Sequence, residues 1–241
     1  MAQLLDTPSD LETYCDVAAK SRWGAYITEI ERHMLMDAHE LAGEPTAALE
    51  VGCEGGRWTR LLTDLSWDMT CTEVNPATLA VCRRKVPTAR CVQVSPDETT
   101  LPCESGSVRL LVCIEVPAVM ASDWFPAEAD RVLADDGVMM GIFFNRSSFR
   151  GQLAHLKARV TGGFDSFPCS YPRWKKEMQR RGYTLVAERG FCWFLFGRTS
   201  DSPWIAPCVQ LERSLGLQRV ANLSPWVAFI MRRGSSRASS A

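Results

Sequence analysis

The chain has 241 residues, enough for one large domain or two small ones, and its 27 Lys and Arg stand against 28 Asp and Glu. That balance lacks the positive excess that grips nucleic acid without regard to sequence, so no nucleic-acid partner is expected. The N-terminal stretch shows no apolar signal-peptide core, and no run is long enough to span a membrane, so no membrane partner is expected either.

Residues 1–20 are polar, and the start is expected to be poorly ordered. From about Ser21 to Leu41 the apolar residues Trp23, Tyr26, Ile27, Ile30, Met34 and Leu41 fall near one stripe, which predicts an amphipathic helix closed by Gly43 and Pro45. It either packs on a sheet or serves as a lid that turns Trp23 or Tyr26 toward a ligand. Ala47 to Val51 is a short apolar run suited to a buried strand. Gly52, Gly55 and Gly56 follow, and Arg57 to Leu65 has helical spacing. Strand, glycine turn and helix together form a cradle for a polar or anionic group at a helix N-terminus. Glu50 places a carboxylate near the strand's C-terminal end, where open α/β sheets bind ligands.

A second strand is predicted over Met69 to Val74 and carries Glu73, at the spacing from the glycine turn at which a carboxylate meets ribose hydroxyls. Asn75-Pro76 starts a helix over Ala77 to Lys85, and Arg90 to Val94 is a third strand. Ser95-Pro96-Asp97-Glu98 and Leu101-Pro102 lead into a strongly apolar fourth strand, Val108 to Glu115. A helix over 122–134 and a strand over Val138 to Phe144 follow. This order demands a mainly parallel sheet covered on both faces. Helices are predicted over Ser147 to Val160 and Tyr171 to Arg181, with a short one near Val209 to Leu215. Strand-like runs cover Tyr183 to Ala187, Gly190 to Gly197 and Trp226 to Met231. A Ser-rich tail from Gly234 is expected to be disordered.

The ten cysteines contain no Cys-x-x-Cys pair, and most sit in apolar runs such as Val112-Cys113-Ile114. They read as small hydrophobes in a reducing, cytoplasmic compartment, and neither a disulfide framework nor a metal site is expected. A dinucleotide fingerprint fails on spacing, because Glu54 and Arg57 stand where the second and third glycines belong. Among the histidines, His155 follows the fifth strand and His33 lies on the first long helix; both are candidate general bases. The segments 145–175 and 198–225 carry aromatics, among them Trp124, Phe125, Phe149, Phe164, Phe167, Tyr171, Trp174 and Trp204 when the loop before them is included. These suit an apolar or aromatic acceptor.

Over about residues 45–145 the chain resembles the class I S-adenosylmethionine-dependent methyltransferases. Leu49-Glu50-Val51-Gly52-Cys53-Glu54-Gly55-Gly56 is similar to their first motif, with Glu54 in place of the middle glycine. Glu73 matches their ribose-binding acid, Asp97 the aspartate that meets the adenine amino group, and Leu110 to Glu115 their fourth strand. The histidine that some members carry after that strand is missing. The resemblance implies a Rossmann-like, mainly parallel seven-stranded sheet with helices on both faces and an antiparallel last strand. It implies an N-terminal helical cap over 1–45 and a methyltransferase domain over 46–233, followed by the tail 234–241. The cofactor is then S-adenosylmethionine, leaving as S-adenosylhomocysteine, and is held by Glu50, Gly52, Cys53, Gly56, Glu73, Val74, Asp97, Glu98, Cys113 and Glu115. The acceptor is expected to be a small molecule methylated on oxygen, with nitrogen, carbon or non-methylating cofactor binding as alternatives. The Glu54 side chain is expected to point away from the cofactor.

Overall fold

The computed structural model describes residues 11–163 and 165–234. The expectations of a poorly ordered start and a disordered tail fall mainly on residues 1–10 and 235–241, outside the described residues, as does Phe164. The chain begins with a short helix, α1 (Tyr14–Ala19), and a long one, α2 (Arg22–Ala42). Ser21 caps α2 by accepting from the Gly24 amide, and Gly43 at φ 80° ends it. The sheet then builds by alternation: β1 (Ala47–Val51), α3 (Arg57–Asp64), β2 (Asp68–Glu73), α4 (Pro76–Lys85), β3 (Arg90–Gln93) and β4 (Val108–Cys113). The next elements are α5 (Pro117–Met120), α6 (Phe125–Val132), β5 (Leu133–Phe144), α7 (Phe149–Thr161), α8 (Tyr171–Arg180), β6 (Tyr183–Phe191), α9 (Ile205–Ser214) and β7 (Trp226–Arg233).

The seven strands lie in the order β3-β2-β1-β4-β5-β7-β6. The last strand, β7, inserts between β5 and β6 and runs antiparallel to both. Every other neighbouring pair is parallel. The order reverses between β1 and β4, so a crevice opens at their C-terminal ends, the place where open α/β sheets take ligands. Alternating residues of β4 serve the two faces. Leu110 and Val112 join Trp23, Ile27, Ile30 and Leu62 under α2, α3 and α9. Leu111 and Cys113 join Phe125, Tyr171 and Trp174 under α6 and α8. Each fully buried Leu or Phe contributes about 1.5–3 kcal/mol.

Three local expectations change. The two strand-like runs at 183–187 and 190–197 are one strand, with a register shift between Leu185 and Ala187. The strand ends at Phe191, just before Cys192 at φ 62°, and Phe194 and Phe196 leave the sheet to pack against the α2 cluster. Fifth-strand pairing begins at Leu133, which meets Val108, so the helix before it stops at Val132. The helices α1 and α5 carry no periodic apolar signature, being six and four residues long. No helix among the described residues is long and apolar enough to cross a membrane.

Candidate functional site

The glycine turn leaves β1 at Val51 and is tied at once to β2: the Gly52 and Cys53 amides both donate to the Thr72 carbonyl, at 3.0 and 2.9 Å. Gly52 and Gly56 hold φ of 74° and 78°, a region that side-chain-bearing residues avoid. Both are also hemmed in. A Cβ on Gly52 would lie 2.4 Å from Val116 Cγ2, and one on Gly56 would lie 2.5 Å from Cys82 Sγ. Glu54, between them, holds φ 48° without being glycine, at a cost of roughly 1–2 kcal/mol. Its carboxylate accepts from Thr13 Oγ1 at 2.8 Å and from the Cys15 amide at 3.1 Å. The residue that breaks the motif therefore points at the N-terminus of α1 and fastens that helix over the turn. Asp16, bonded to Lys85 Nζ at 2.5 Å, adds a second tether.

Glu73 ends β2 with its carboxylate already organised by backbone. Oε2 accepts from the Glu54 amide, and Oε1 from the Val74 and Asn75 amides, each at 2.9 Å. Beside it lies a cleft of about 100 Å³ lined by Val51, Thr72, Val74, Ser95, Glu98, Leu101 and Trp124, among others. Asp97 is exposed on that loop and is not among the lining residues; its neighbours Ser95, Pro96 and Glu98 are. Arg131 fixes the opposite wall by donating to the Leu101 and Cys103 carbonyls at 2.8 and 2.7 Å. Glu50 does not face this cleft. It is 2% exposed and accepts from Thr59 Oγ1 at 2.5 Å, and burial pushes its carboxyl up to about 8. Cys113 is fully buried in the core on the α6 side of the sheet.

A second set of polar groups gathers where the turn after β4 faces α1, α2 and the segment before α9. Glu115, at φ 56°, accepts from Arg198 Nη2 at 2.6 Å. Arg57, the first residue of α3, donates to Thr28 Oγ1 at 2.9 Å and to Glu31 Oε2 at 3.1 Å. Glu31 is fully buried. Burial first, and the nearby Glu115 carboxylate second, raise its carboxyl well above the usual range. Glu31 Oε1, Arg57 Nε, and Arg198 Nε and Nη1 are buried without a hydrogen-bond partner among the described residues. Cys15 of α1 borders the same group, and burial, then Glu54 and Glu115, push its thiol up to about 12. Both effects work against a thiolate there.

Both histidine candidates lie elsewhere. His33 is exposed on the outer face of α2, and the residue α2 turns inward is Glu31. His155 Nδ1 lies 2.6 Å from Asp165 Oδ2, in a groove shared with Arg146, Phe149, Leu153 and Leu156. Burial would raise Asp165, but the bonds from His155 and the Phe167 amide hold it below the usual carboxylate range. None of these partners belongs to the glycine turn or the Glu115 group. Trp23 and Tyr26 face the core: Trp23 packs at a tilt against Tyr26 and Phe196, ring centroids 4.8 and 5.0 Å apart, and Tyr26 donates to Glu212 at 2.5 Å. Of the aromatics expected around an acceptor, Phe125, Phe167, Tyr171 and Trp174 are buried and Phe149 and Trp204 are exposed.

Sequence reading missed Glu31, Arg57 and Arg198. Glu31 did leave a signal, because it falls on the α2 stripe of Ile27, Ile30, Met34 and Leu35, all buried, where a carboxylate needs a reason. It also kept apart cysteines that the fold unites. Cys71 Sγ lies 3.7 Å from Cys82 Sγ and 3.4 Å from Cys91 Sγ, and Cys53 joins the first two within 4.8 Å.

Residues 49–141 match the model of a methyltransferase domain family. No curated protein matches the chain in sequence. Among solved structures, a geranyl diphosphate methyltransferase in complex with GPP and sinefungin is similar at TM-score 0.61 and 14% identity, over 88% of this chain and 82% of that one. A geranyl diphosphate C-methyltransferase from Streptomyces coelicolor A3(2), holding Mg2+, geranyl diphosphate and S-adenosylhomocysteine, gives 0.59 and 14%, over 86% and 82%. An S-adenosylmethionine-dependent methyltransferase from Mesorhizobium loti gives 0.56 and 13%, over 84% and 96%.

Proposed function

We propose that the chain, whose residues 49–141 match a methyltransferase domain family, is a class I S-adenosylmethionine-dependent methyltransferase that methylates a hydroxyl oxygen of a small polar acceptor at the Glu31–Glu115 group. The cofactor, S-adenosylmethionine, supplies a methyl group on a positively charged sulfur, open to in-line attack. The residues present fit it. Glu73 offers ribose hydroxyls a carboxylate already oriented by three amides, and the largely apolar cleft edged by Val74, Ser95 and Glu98 suits a flat base. Gly52, Cys53 and Gly56 bring backbone to the cofactor's edge. Asp97 holds its place as an outer contact to the amino group, while Glu50 and Cys113 support the strands from inside.

The observation that carries the acceptor reading is Glu31, a wholly buried carboxyl with one partnerless oxygen. Its free oxygen is placed to take a proton from a hydroxyl as the oxygen attacks. The unused N–H groups of Arg57 and Arg198 orient anionic or polar groups of cofactor and acceptor, and Glu115 holds Arg198 in place. Much of the acceleration then comes from alignment. The acceptor is small because α1, latched through Glu54, covers the turn. The ten free thiols suit a reducing, cytoplasmic compartment.

The similarity to geranyl diphosphate methyltransferases favours a second reading, transfer to carbon, for which a buried carboxyl base serves equally well. Turnover of labelled S-adenosylmethionine against small alcohols, phenols, amines and prenyl diphosphates, with products resolved by mass spectrometry, separates the readings. An O-methyl product is expected, and Glu31→Gln is expected to cut kcat by about 10²-fold or more while the KM for the cofactor stays put. A methyl group found on carbon or nitrogen sinks the oxygen reading, and a variant with unchanged kcat removes Glu31 as base.

A further inference from the structure

Four of the ten cysteines gather beneath the glycine turn, each from a different element. Cys53 comes from the turn itself, Cys71 from β2, Cys82 from α4 and Cys91 from β3. Cys71, Cys82 and Cys91 form a triangle of Sγ atoms with edges of 3.7, 3.4 and 3.7 Å. The Sγ atoms of Cys53, Cys71 and Cys82 all lie within 4.8 Å of one another, and these three residues are buried. Leu79 is the other member of this small buried cluster. As hydrophobic filling, one or two of these positions would serve as well with Ala or Val. Convergence of four sulfurs, and of no other polar side chain of that kind, is what a metal asks for.

We propose that Cys53, Cys71, Cys82 and Cys91 form a structural thiolate site for zinc. Tetrahedral Zn–S bonds of about 2.3 Å put the sulfurs about 3.8 Å apart, within a few tenths of an ångström of the Cys71–Cys82–Cys91 triangle, and the Cys53 sulfur would close on it as the fourth ligand. An all-sulfur donor set selects a soft ion such as Zn2+, and four protein ligands leave no open position for catalysis. The negative charge of bound thiolates has local compensation. Gly56 is the N-cap of α3 and packs directly on the Cys82 sulfur, so the positive end of that helix faces the cluster. Thr59 Oγ1 lies 4.0 Å from the same sulfur.

The site would couple directly to cofactor binding. Cys53 belongs to the glycine turn, and Cys71 precedes Glu73 by two residues on the same strand. Cys91 is its register partner on β3, and β3 leads into the Ser95–Glu98 wall of the cleft. One ion would fix the turn, the Glu73 strand and that wall with respect to one another. The zinc content itself does not depend on the methyltransferase reading; the effect on S-adenosylmethionine affinity does.

The test uses the full chain, purified without chelators or metal-affinity resin. Elemental analysis is expected to give about one zinc per chain, released by a mercurial thiol reagent and detected with a chromogenic chelator. Cys71→Ser and Cys82→Ser are expected to lose at least tenfold in zinc, and Cys113→Ser, buried outside the cluster, to keep it. Since the serine variants can also fail to fold, the wild-type protein is stripped of metal and titrated with Co2+ alone. A one-to-one rise of thiolate-to-cobalt charge-transfer bands and strong tetrahedral d–d bands, displaced by Zn2+, supports the site. A folded wild-type protein that carries no zinc and gives no cobalt bands overturns it, as does full zinc in Cys71→Ser or a native disulfide among the four thiols. Chelation that removes zinc and weakens S-adenosylmethionine binding about tenfold supports the coupling. Unchanged affinity overturns the coupling and leaves the metal site standing.

Discussion

The buried carboxyl of Glu50 should make the stability of this protein fall as pH rises through neutrality, and Glu50→Gln should remove that slope. The group is 2% exposed, and its pKa is raised from 4.5 to about 8, chiefly by desolvation, with the Thr59 hydroxyl opposing. The folded protein thus keeps a proton that the unfolded chain releases. The stabilisation is complete below about pH 4.5 and is lost as pH climbs through the folded value. At about 1.4 kcal/mol for each pH unit between the unfolded and folded values, the loss by pH 8 and above reaches about 5 kcal/mol, a large share of a typical domain's 5–15 kcal/mol. As a change in melting temperature this is roughly 10–20 °C for a chain of this size. Glu31 and Glu212 are raised in the same direction, so the share of Glu50 is read as the difference between wild type and variant. Urea melts of both proteins between about pH 5 and about pH 8.5 supply it. Gln keeps the acceptor for Thr59 and cannot ionise. A variant that retains the wild-type slope would show that the Glu50 carboxylate is accommodated in the folded state and refute the reasoning.

Other substitutions read out the site. Glu54→Gly relieves the left-handed backbone, worth roughly 1–2 kcal/mol, but removes two bonds to a carboxylate, each worth roughly 1.5–3 kcal/mol. Amide hydrogen exchange over residues 13–20 is therefore expected to speed up about 30-fold; unchanged protection would show that Glu54 does not hold α1. Glu73→Ala takes the acceptor from three amides and, on the proposed reading, from the ribose, so calorimetric titration with S-adenosylmethionine should show about 100-fold weaker binding, about 2.7 kcal/mol. Wild-type affinity in that variant would remove Glu73 from the cofactor site. Arg131→Met frees the Leu101 and Cys103 carbonyls and should weaken the cofactor about tenfold with little change in the turnover of saturated enzyme. A fall confined to kcat would place Arg131 elsewhere in the mechanism.

Local chemistry carried the first half of the chain. The run Ala47 to Val51, the positive-φ glycines and the Glu73 strand end are decided by patterns of a few residues, as are the starts and stops of α2 and α4, so they are legible in order. The same is true of the parallel alternation through β5. The contacts that complete the site join residues far apart in the chain. Glu54 reaches back to Thr13 and Cys15, Glu115 reaches forward to Arg198, and Glu31 meets Arg57 across two helices. Side-chain type alone could not select those partners. His155 follows the fifth strand in sequence, but its ring is bonded to Asp165. Phe194 and Phe196 have the composition of a strand, yet β7 begins at Trp226, which already pairs with Phe191, and offers them no partner. The cysteines show the division most clearly. Their spacing in sequence argued against a cluster, because metal motifs are recognised by pairs close in the chain. What brought Cys53, Cys71, Cys82 and Cys91 together was the register of β2 on β3 and the crossing of α4 above them. Sequence determined which segments become strands and helices, because hydrophobic period and turn chemistry act over a few residues. Only the tertiary structure decided which charges and thiols face one another, because that depends on how those segments pack.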